Sequence, residues 1–114
     1  RKGLKLENVN EQEYRTVILL DPKHAGAHYN LGLLLDDVKK DYAGAEEEYR
    51  TAIRLDPEYA KAHNNLGVLL EDVKKDHVGA EEAYRTAIRL DPEDEMAHRN
   101  LGNLLRDVKK DNEQ

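Results

Sequence analysis

Three kinds of side chain with chemical potential recur in this chain at one interval: His28, His63 and His98; Asn30, Asn65 and Asn100; and Thr16, Thr51 and Thr86, each set spaced 35 residues apart. Imidazoles are common metal ligands. However, helices carrying successive copies pack about 10 Å apart, whereas zinc gathers its ligands to about 2 Å from one ion. The histidines are therefore expected in packing roles. The threonines have no paired base and the chain has neither Ser nor Cys, so nucleophilic catalysis is not expected. The asparagines suit a different chemistry. An amide offers one acceptor and two donors, enough to bond both the C=O and the N–H of a peptide backbone whatever its sequence. With helices about 10 Å apart and an extended strand rising about 3.3 Å per residue, one such Asn would meet about every third residue of a bound peptide.

The elements that would position these residues are repeated units. Asp21-Pro22, Asp56-Pro57 and Asp91-Pro92 share the 35-residue interval, as do Asn30-Leu31-Gly32, Asn65-Leu66-Gly67 and Asn100-Leu101-Gly102. Val38-Lys39-Lys40-Asp41 recurs at Val73 to Asp76 and at Val108 to Asp111. A period of this length means stacked supersecondary units.

Each unit matches a known pattern. In the middle copy His63, Leu66-Gly67, Leu70, Ala80, Tyr84 and Pro92 fall where the tetratricopeptide signature has W-x2-L-G-x2-Y, then A-x3-F, then P. The chain thus resembles the tetratricopeptide repeat (TPR) family over nearly its whole length. It differs in having His at the position where Trp is common, and in a period of 35 with the extra residue near the turn. The resemblance implies an all-α fold, an α-α solenoid in which antiparallel helix pairs form a right-handed superhelix.

Read with this period, the helices fall at about 6–20, 24–39, 41–55, 59–74, 76–90 and 94–109 in the order B-A-B-A-B-A. Helix A of the first full unit draws its apolar face from Ala27, Leu31, Leu34, Leu35 and Val38, and helix B from Ala45, Tyr49, Ala52 and Ile53. Asp followed by Pro is expected to cap each A helix, with Pro at its first position. Gly32, Gly67 and Gly102 sit inside A helices, where Gly costs about 1 kcal/mol relative to Ala, so each needs a packing reason; the family's reason is close approach of helix B. The last A helix carries Leu101, Leu104 and Leu105 with no B helix after it. The whole, 1–114, reads as a single array and as a fragment of a longer one.

With 37% charged residues and a net charge of −6, the chain lacks the basic balance of a general nucleic-acid binder. No apolar run approaches the ~20 residues that span a bilayer, and no targeting segment is visible, so neither a nucleic-acid nor a membrane partner is expected and a cytoplasmic location is. No cofactor is implied. Lys39-Lys40, Lys74-Lys75 and Lys109-Lys110 read as solvated helix ends, with an anionic docking strip as the alternative.

Comparing the copies locates a candidate surface. Helix A differs between copies at Gly26/Lys61/Met96, Tyr29/Asn64/Arg99, Leu33/Val68/Asn103 and Asp36/Glu71/Arg106, positions three and four apart that form one stripe on a helix. In TPR arrays the corresponding positions line the concave groove, and the Asn30, Asn65, Asn100 row beside them is similar to asparagine ladders within TPR superhelices. The resemblance implies a protein-interaction module binding a peptide segment of a partner. Backbone bonding would come from the asparagine row and selectivity from Lys61, Tyr29, Asn64, Arg99, Leu33, Val68 and Asn103. The alternative is a self-assembling scaffold, a homo-oligomer through exposed solenoid ends or a swapped dimer, without a separate ligand. The family's clamp for acidic chaperone tails is not expected: its five positions hold Tyr29, Leu33, Asn65, Met96 and Asn100, of which only Asn65 matches.

The Val-Lys-Lys-Asp turn has no glycine, and an apolar seam at Leu31, Leu35, Val38, Tyr42, Ala45, Tyr49 and Ala52 runs through it in steps of four and three. Fusion of A and B into one long helix is conceivable on that pattern. Gly44 and Gly79 oppose it at about 1 kcal/mol each, so the expectation is hairpins, with Lys40 and Lys75 or their neighbours leaving the helical conformation.

Overall fold

A computed structural model describes residues 6–112 of the chain. Within them lie α1 (Leu6–Leu20), α2 (Ala25–Asp37), α3 (Tyr42–Leu55), α4 (Ala60–Asp72), α5 (His77–Leu90) and α6 (Glu95–Asn112). Contacts divide the chain into two units, one ending at Pro57 and the other beginning at Glu58. In the first, α2 packs against both α1 and α3; in the second, α5 packs against both α4 and α6.

The turn between A and B helices breaks where the sequence suggests. Lys40 and Lys75 lie at φ 59° and φ 57°, the non-glycine residues with positive φ among the described residues, and this left-handed step folds the chain back on the helix end. The Asp41 N–H thereby reaches the Leu35 carbonyl at 2.7 Å and the Lys39 N–H the Leu34 carbonyl at 3.1 Å, satisfying acceptors that the last turn leaves open. Asp41 then caps α3 by accepting from the Gly44 N–H at 3.0 Å, and Asp76 caps α5 through Gly79 at 2.9 Å. A left-handed non-glycine residue costs about 1–2 kcal/mol, of which Gly gives back about 0.4–1 in unfolded-state entropy. Lys75→Gly is therefore expected to raise stability by about 0.5–1 kcal/mol in urea unfolding, and Lys75→Val to lower it.

The Asp-Pro pairs act differently from the cap expected of them. Asp56 and Asp91 close the preceding B helices, their N–H groups bonding Ala52 and Ala87 carbonyls at 2.8 and 2.9 Å. The next residues form a turn closed by His24 N–H to the Asp21 carbonyl and by Asp94 N–H to the Asp91 carbonyl, both 3.1 Å. Proline at the second position of such a turn is already set at the required φ. The A helices consequently start three residues later: His24 caps α2 through Nδ1, accepting from the Ala27 N–H at 3.0 Å, and Asp94 accepts from the Met96 N–H at 3.0 Å at the start of α6.

Small and large residues alternate in the core. In the first unit Leu31, Ala45, Tyr49 and Ala52 are buried, and in the second Leu66, Leu70, Ala80, Tyr84, Ala87 and Leu104 are buried. A β-carbon on Gly32 would lie 2.7 Å from Tyr49 Cε1, and one on Gly67 would lie 2.6 Å from Tyr84 Cε1. The missing side chain is what admits the tyrosine ring. Val38, expected in this face, is instead a half-exposed C-cap, because the helix ends beneath it.

Candidate functional site

The A-helix stripe is not uniform. Tyr29 is half-buried, its ring 6.1 Å from that of Tyr49 and tilted by 41°. Asn30 is exposed and Leu33 half-buried beside it, and both line a recess of about 190 Å³ with Tyr14 of α1 and Asp37. In the second unit Lys61, Arg99 and Asn103 are exposed, and Asn65, Val68 and Asn100 half-buried. Arg99 is paired with Glu95 one turn back at 2.7 Å.

Asn64 departs from this pattern. It is only 4% exposed, its amide oxygen accepts from Asn100 Nδ2 at 3.1 Å, and its own Nδ2 lies 3.5 Å from Asn65 Oδ1. A residue so enclosed is held against its neighbours and does not itself present a surface. Its contribution is positional: the Asn65, Asn64 and Asn100 amides form a chain that joins α4 to α6 and orients Asn100, which keeps its amide oxygen and a second N–H outside that chain.

Next to this chain lies a cleft of about 240 Å³, lined by Val68, Glu71 and Asp72 of α4, the Tyr84 side chain of α5, and Asn100, Asn103, Arg106 and Asp107 of α6. Tyr84 is 1% exposed and its hydroxyl donates to Glu71 Oε1 at 2.8 Å. Tyr49 does the same to Asp36 Oδ2 at 3.0 Å. Burial first, then the adjoining carboxylates, push both phenols well above the usual tyrosine value of about 10. Each tyrosine thus fills the notch over a glycine and anchors an acid at the end of the A helix. A wider depression of about 490 Å³ is lined by α5 alone, including Val78, Glu81 and Arg89; it gathers none of the stripe residues.

Two of the periodic histidines, His28 and His98, hold structure together. His28 reaches the Pro22 carbonyl through Nε2 at 2.9 Å and Glu48 Oε1 through Nδ1 at 2.7 Å, and His98 reaches the Pro92 carbonyl at 2.8 Å. They tie the Asp-Pro turn to the helix that follows it. Among the described residues no group of three or more His, Cys, Asp or Glu is placed to hold a metal ion, and no helix is long and apolar enough to cross a membrane. Lys39 lies 3.8 Å from Glu11.

Sequence comparison of the copies passes over Asp37, Asp72 and Asp107 because they are the same in all three, although Asp72 and Asp107 line the cleft. The tyrosine hydroxyls escape it for the same reason; a signal existed in the invariant 13-residue spacing of the Tyr49–Asp36 and Tyr84–Glu71 pairs.

A tetratricopeptide repeat family model matches residues 38–95 and 74–111. No curated protein sequence matches at a significant level. Among solved structures, the Sgt2 TPR domain from Aspergillus fumigatus is similar with a TM-score of 0.82 at 24% identity, over 91% of this chain and 69% of that one. The first TPR of Spaghetti (RPAP3), bound to the HSP90 peptide SRMEEVD, gives 0.80 at 22% identity over 87% and 77%. An O-GlcNAc transferase mutant from Thermobaculum terrenum gives 0.76 at 29% identity, over 83% of this chain and 18% of that one. With its helices paired as solenoid repeats and more than half of its length matched by the family model, the chain belongs to the tetratricopeptide repeat family.

Proposed function

We propose that the chain is a protein-interaction module whose A-helix face binds a peptide segment of a partner. The observation that carries this reading is the amide chain Asn65–Asn64–Asn100 running beside an open cleft on α4 and α6. It pre-orients an amide for a peptide backbone, so less ordering is left to be done on binding. The peptide bound by the RPAP3 domain supports the same mode of use for this fold. Asn100 would bond the backbone with Asn65 and Asn30, while Lys61, Leu33, Val68, Asn103, Tyr29 and Arg99 would select side chains. Asn64 would act by holding Asn100.

Peptides selected from a random dodecapeptide library on the full chain test this. Asn100→Ala is expected to weaken unrelated binders alike, by about 2- to 10-fold for one backbone bond of about 0.5–1.5 kcal/mol, whereas Asn103→Ala should weaken some and spare others. Peptides held equally by both variants would remove the face from consideration.

A second reading, a self-assembling scaffold without a separate ligand, draws support from Gly102. A β-carbon there would meet nothing within 4 Å, although Gly32 and Gly67 at the same register are covered by tyrosines, and Met96 and Leu105 are exposed nearby on α6. A concentration-dependent mass in sedimentation would favour it, and a constant monomer mass would exclude it.

A further inference from the structure

We infer that α6 of one copy takes α1 of a second copy, restoring the pairing that an A helix makes with the B helix after it. This deepens the self-assembling reading and rests on it. The pairing of α2 with α3 shows what has to be matched. Glu48 Oε1 meets His28 Nδ1 at 2.7 Å, and the Tyr49 ring fills the notch at Gly32. A β-carbon on that glycine would stand 2.7 Å from Tyr49 Cε1 and 3.4 Å from Glu48 Cβ, so one notch seats the two residues side by side.

Each half of this contact recurs by itself at one end of the described chain. Glu13-Tyr14-Arg15-Thr16 of α1 repeats Glu48-Tyr49-Arg50-Thr51, and His98 with Asn100-Leu101-Gly102 of α6 repeats His28 with Asn30-Leu31-Gly32. Both halves are open. Tyr14 is half-buried and Val17 exposed, where Tyr49 and Ala52 are fully buried on α3. His98, Gly102 and Leu105 are exposed, where His28, Gly32 and Leu35 are buried on α2. The other side of α6 is closed, with Ala97 and Leu104 fully buried. Covering the open side with α1 would therefore remove apolar surface from water on both partners.

The polar groups match as well. His98 is held as His28 is, its Nε2 on the Pro92 carbonyl at 2.8 Å, which leaves Nδ1 for the Glu13 carboxylate. An acid at this register is not a fixed feature of B helices, since α5 has Ala83 there. Where α6 departs from α2, the change still suits a tyrosine. Arg106 stands at the register of Asp36, so the Tyr14 hydroxyl would accept a hydrogen bond where the Tyr49 hydroxyl donates one. Arg99 stands at the register of Tyr29, whose ring lies 6.1 Å from that of Tyr49, and a guanidinium is attracted to the face of a tyrosine. Two α6 faces set together would offer two notches and no side chain to fill either. The joint is thus heterologous, α6 on α1, and each added copy leaves one further end open unless the copies close into a ring.

The test is sedimentation of the full chain from about 1 to about 500 µM, a range that covers weak association. The mass of the parent should rise with concentration above the 13.1 kDa of one chain. Gly102→Leu fills the notch on an exposed stretch of helix, and Tyr14→Ala removes the side chain that would enter it. Each variant alone should stay near the monomer mass. Mixed in equal amounts they should form a one-to-one pair, because one keeps an intact α1 and the other an intact α6. Circular dichroism establishes that each is folded, and Glu13→Lys with Val17→Lys, both at exposed positions, blocks α1 in the same way should Tyr14→Ala unfold. Parent association that Gly102→Leu leaves unchanged, or a mixture that stays monomeric, would overturn the α1–α6 joint and leave self-assembly through another face. A parent that is monomeric at every concentration would overturn the self-assembling reading, and the inference with it.

Discussion

Gly67→Ala should destabilise the protein while Gly102→Ala should stabilise it, although the two glycines hold the same place in their repeats. Inside an exposed helix the change from Gly to Ala gains about 1 kcal/mol, and at Gly102 nothing within 4 Å opposes it. At Gly67 the new carbon would stand 2.6 Å from Tyr84 Cε1 and 3.3 Å from Ala83 Cβ. The ring cannot swing aside, because it is 1% exposed and its hydroxyl is bound to Glu71. Overpacking of this kind costs about 1–3 kcal/mol, more than the helix gains, so Gly67→Ala should lose about 1 kcal/mol and Gly67→Leu up to about 3. Gly32 faces Tyr49 at 2.7 Å and should behave as Gly67 does. Urea unfolding of the alanine variants reads the sign directly. If Gly67→Ala stabilised as Gly102→Ala does, the tyrosine would not be the reason for the glycine.

A packing role for the mid-helix glycines was expected from the resemblance to TPR repeats, in which helix B approaches closely, but neither the tyrosines nor the contrast with Gly102 was read from it. The tyrosine recurs 17 residues after the glycine, at Gly32 and Tyr49 and again at Gly67 and Tyr84, and the packing brings the two together. The break at Lys40 and Lys75 was legible because Gly44 and Gly79 each weaken a continuous helix by about 1 kcal/mol; the Asp41 and Asp76 caps that support it were not read from the sequence. Two features resisted. Asp-Pro reads locally as a helix cap, but the carbonyl of Asp21 serves a β-turn and the N–H groups of Asp56 and Asp91 end B helices; two neighbouring elements compete for one residue, and the tighter turn wins. Asn64 differs from Tyr29 and Arg99, and variation of that kind reads as a solvated surface. Its partner, Asn100, lies 36 residues away on α6, and only the packing of α4 with α6 brings them together. Internal comparison detects change, so it finds neither a buried polar pair present in one unit nor an acid, such as Asp72, that never changes.

Raising the pH beyond about 10 should destabilise the protein through two particular tyrosines. Burial, reinforced by Asp36 at Tyr49 and by Glu71 at Tyr84, keeps both phenols neutral far above the usual range, whereas in the unfolded chain they ionise near 10. Above that pH the unfolded state binds fewer protons than the folded one, and stability falls as pH rises. The contribution is fully present below about pH 10. By about pH 11 each phenol should have withdrawn about 1.4 kcal/mol, and the pair about 3, a large share of the roughly 5–15 kcal/mol that holds a domain together. The informative measurement is the difference between the protein and a variant without the two hydroxyls. Tyr49→Phe with Tyr84→Phe keeps both rings over their glycines and removes the titrating groups, at about 0.5–1.5 kcal/mol per lost hydrogen bond at neutral pH. Stability of this double variant, measured in urea between about pH 9 and about pH 11, should decline less steeply than that of the parent by about 3 kcal/mol in total. In the parent, phenolate absorbance from two of the six tyrosines should appear only in step with loss of the helical circular dichroism signal. Parallel pH profiles for the two proteins, or complete phenol ionisation while the helices persist, would mean that Tyr49 and Tyr84 are reached by solvent without unfolding, and that their hydroxyls are not the fixed anchors of Asp36 and Glu71.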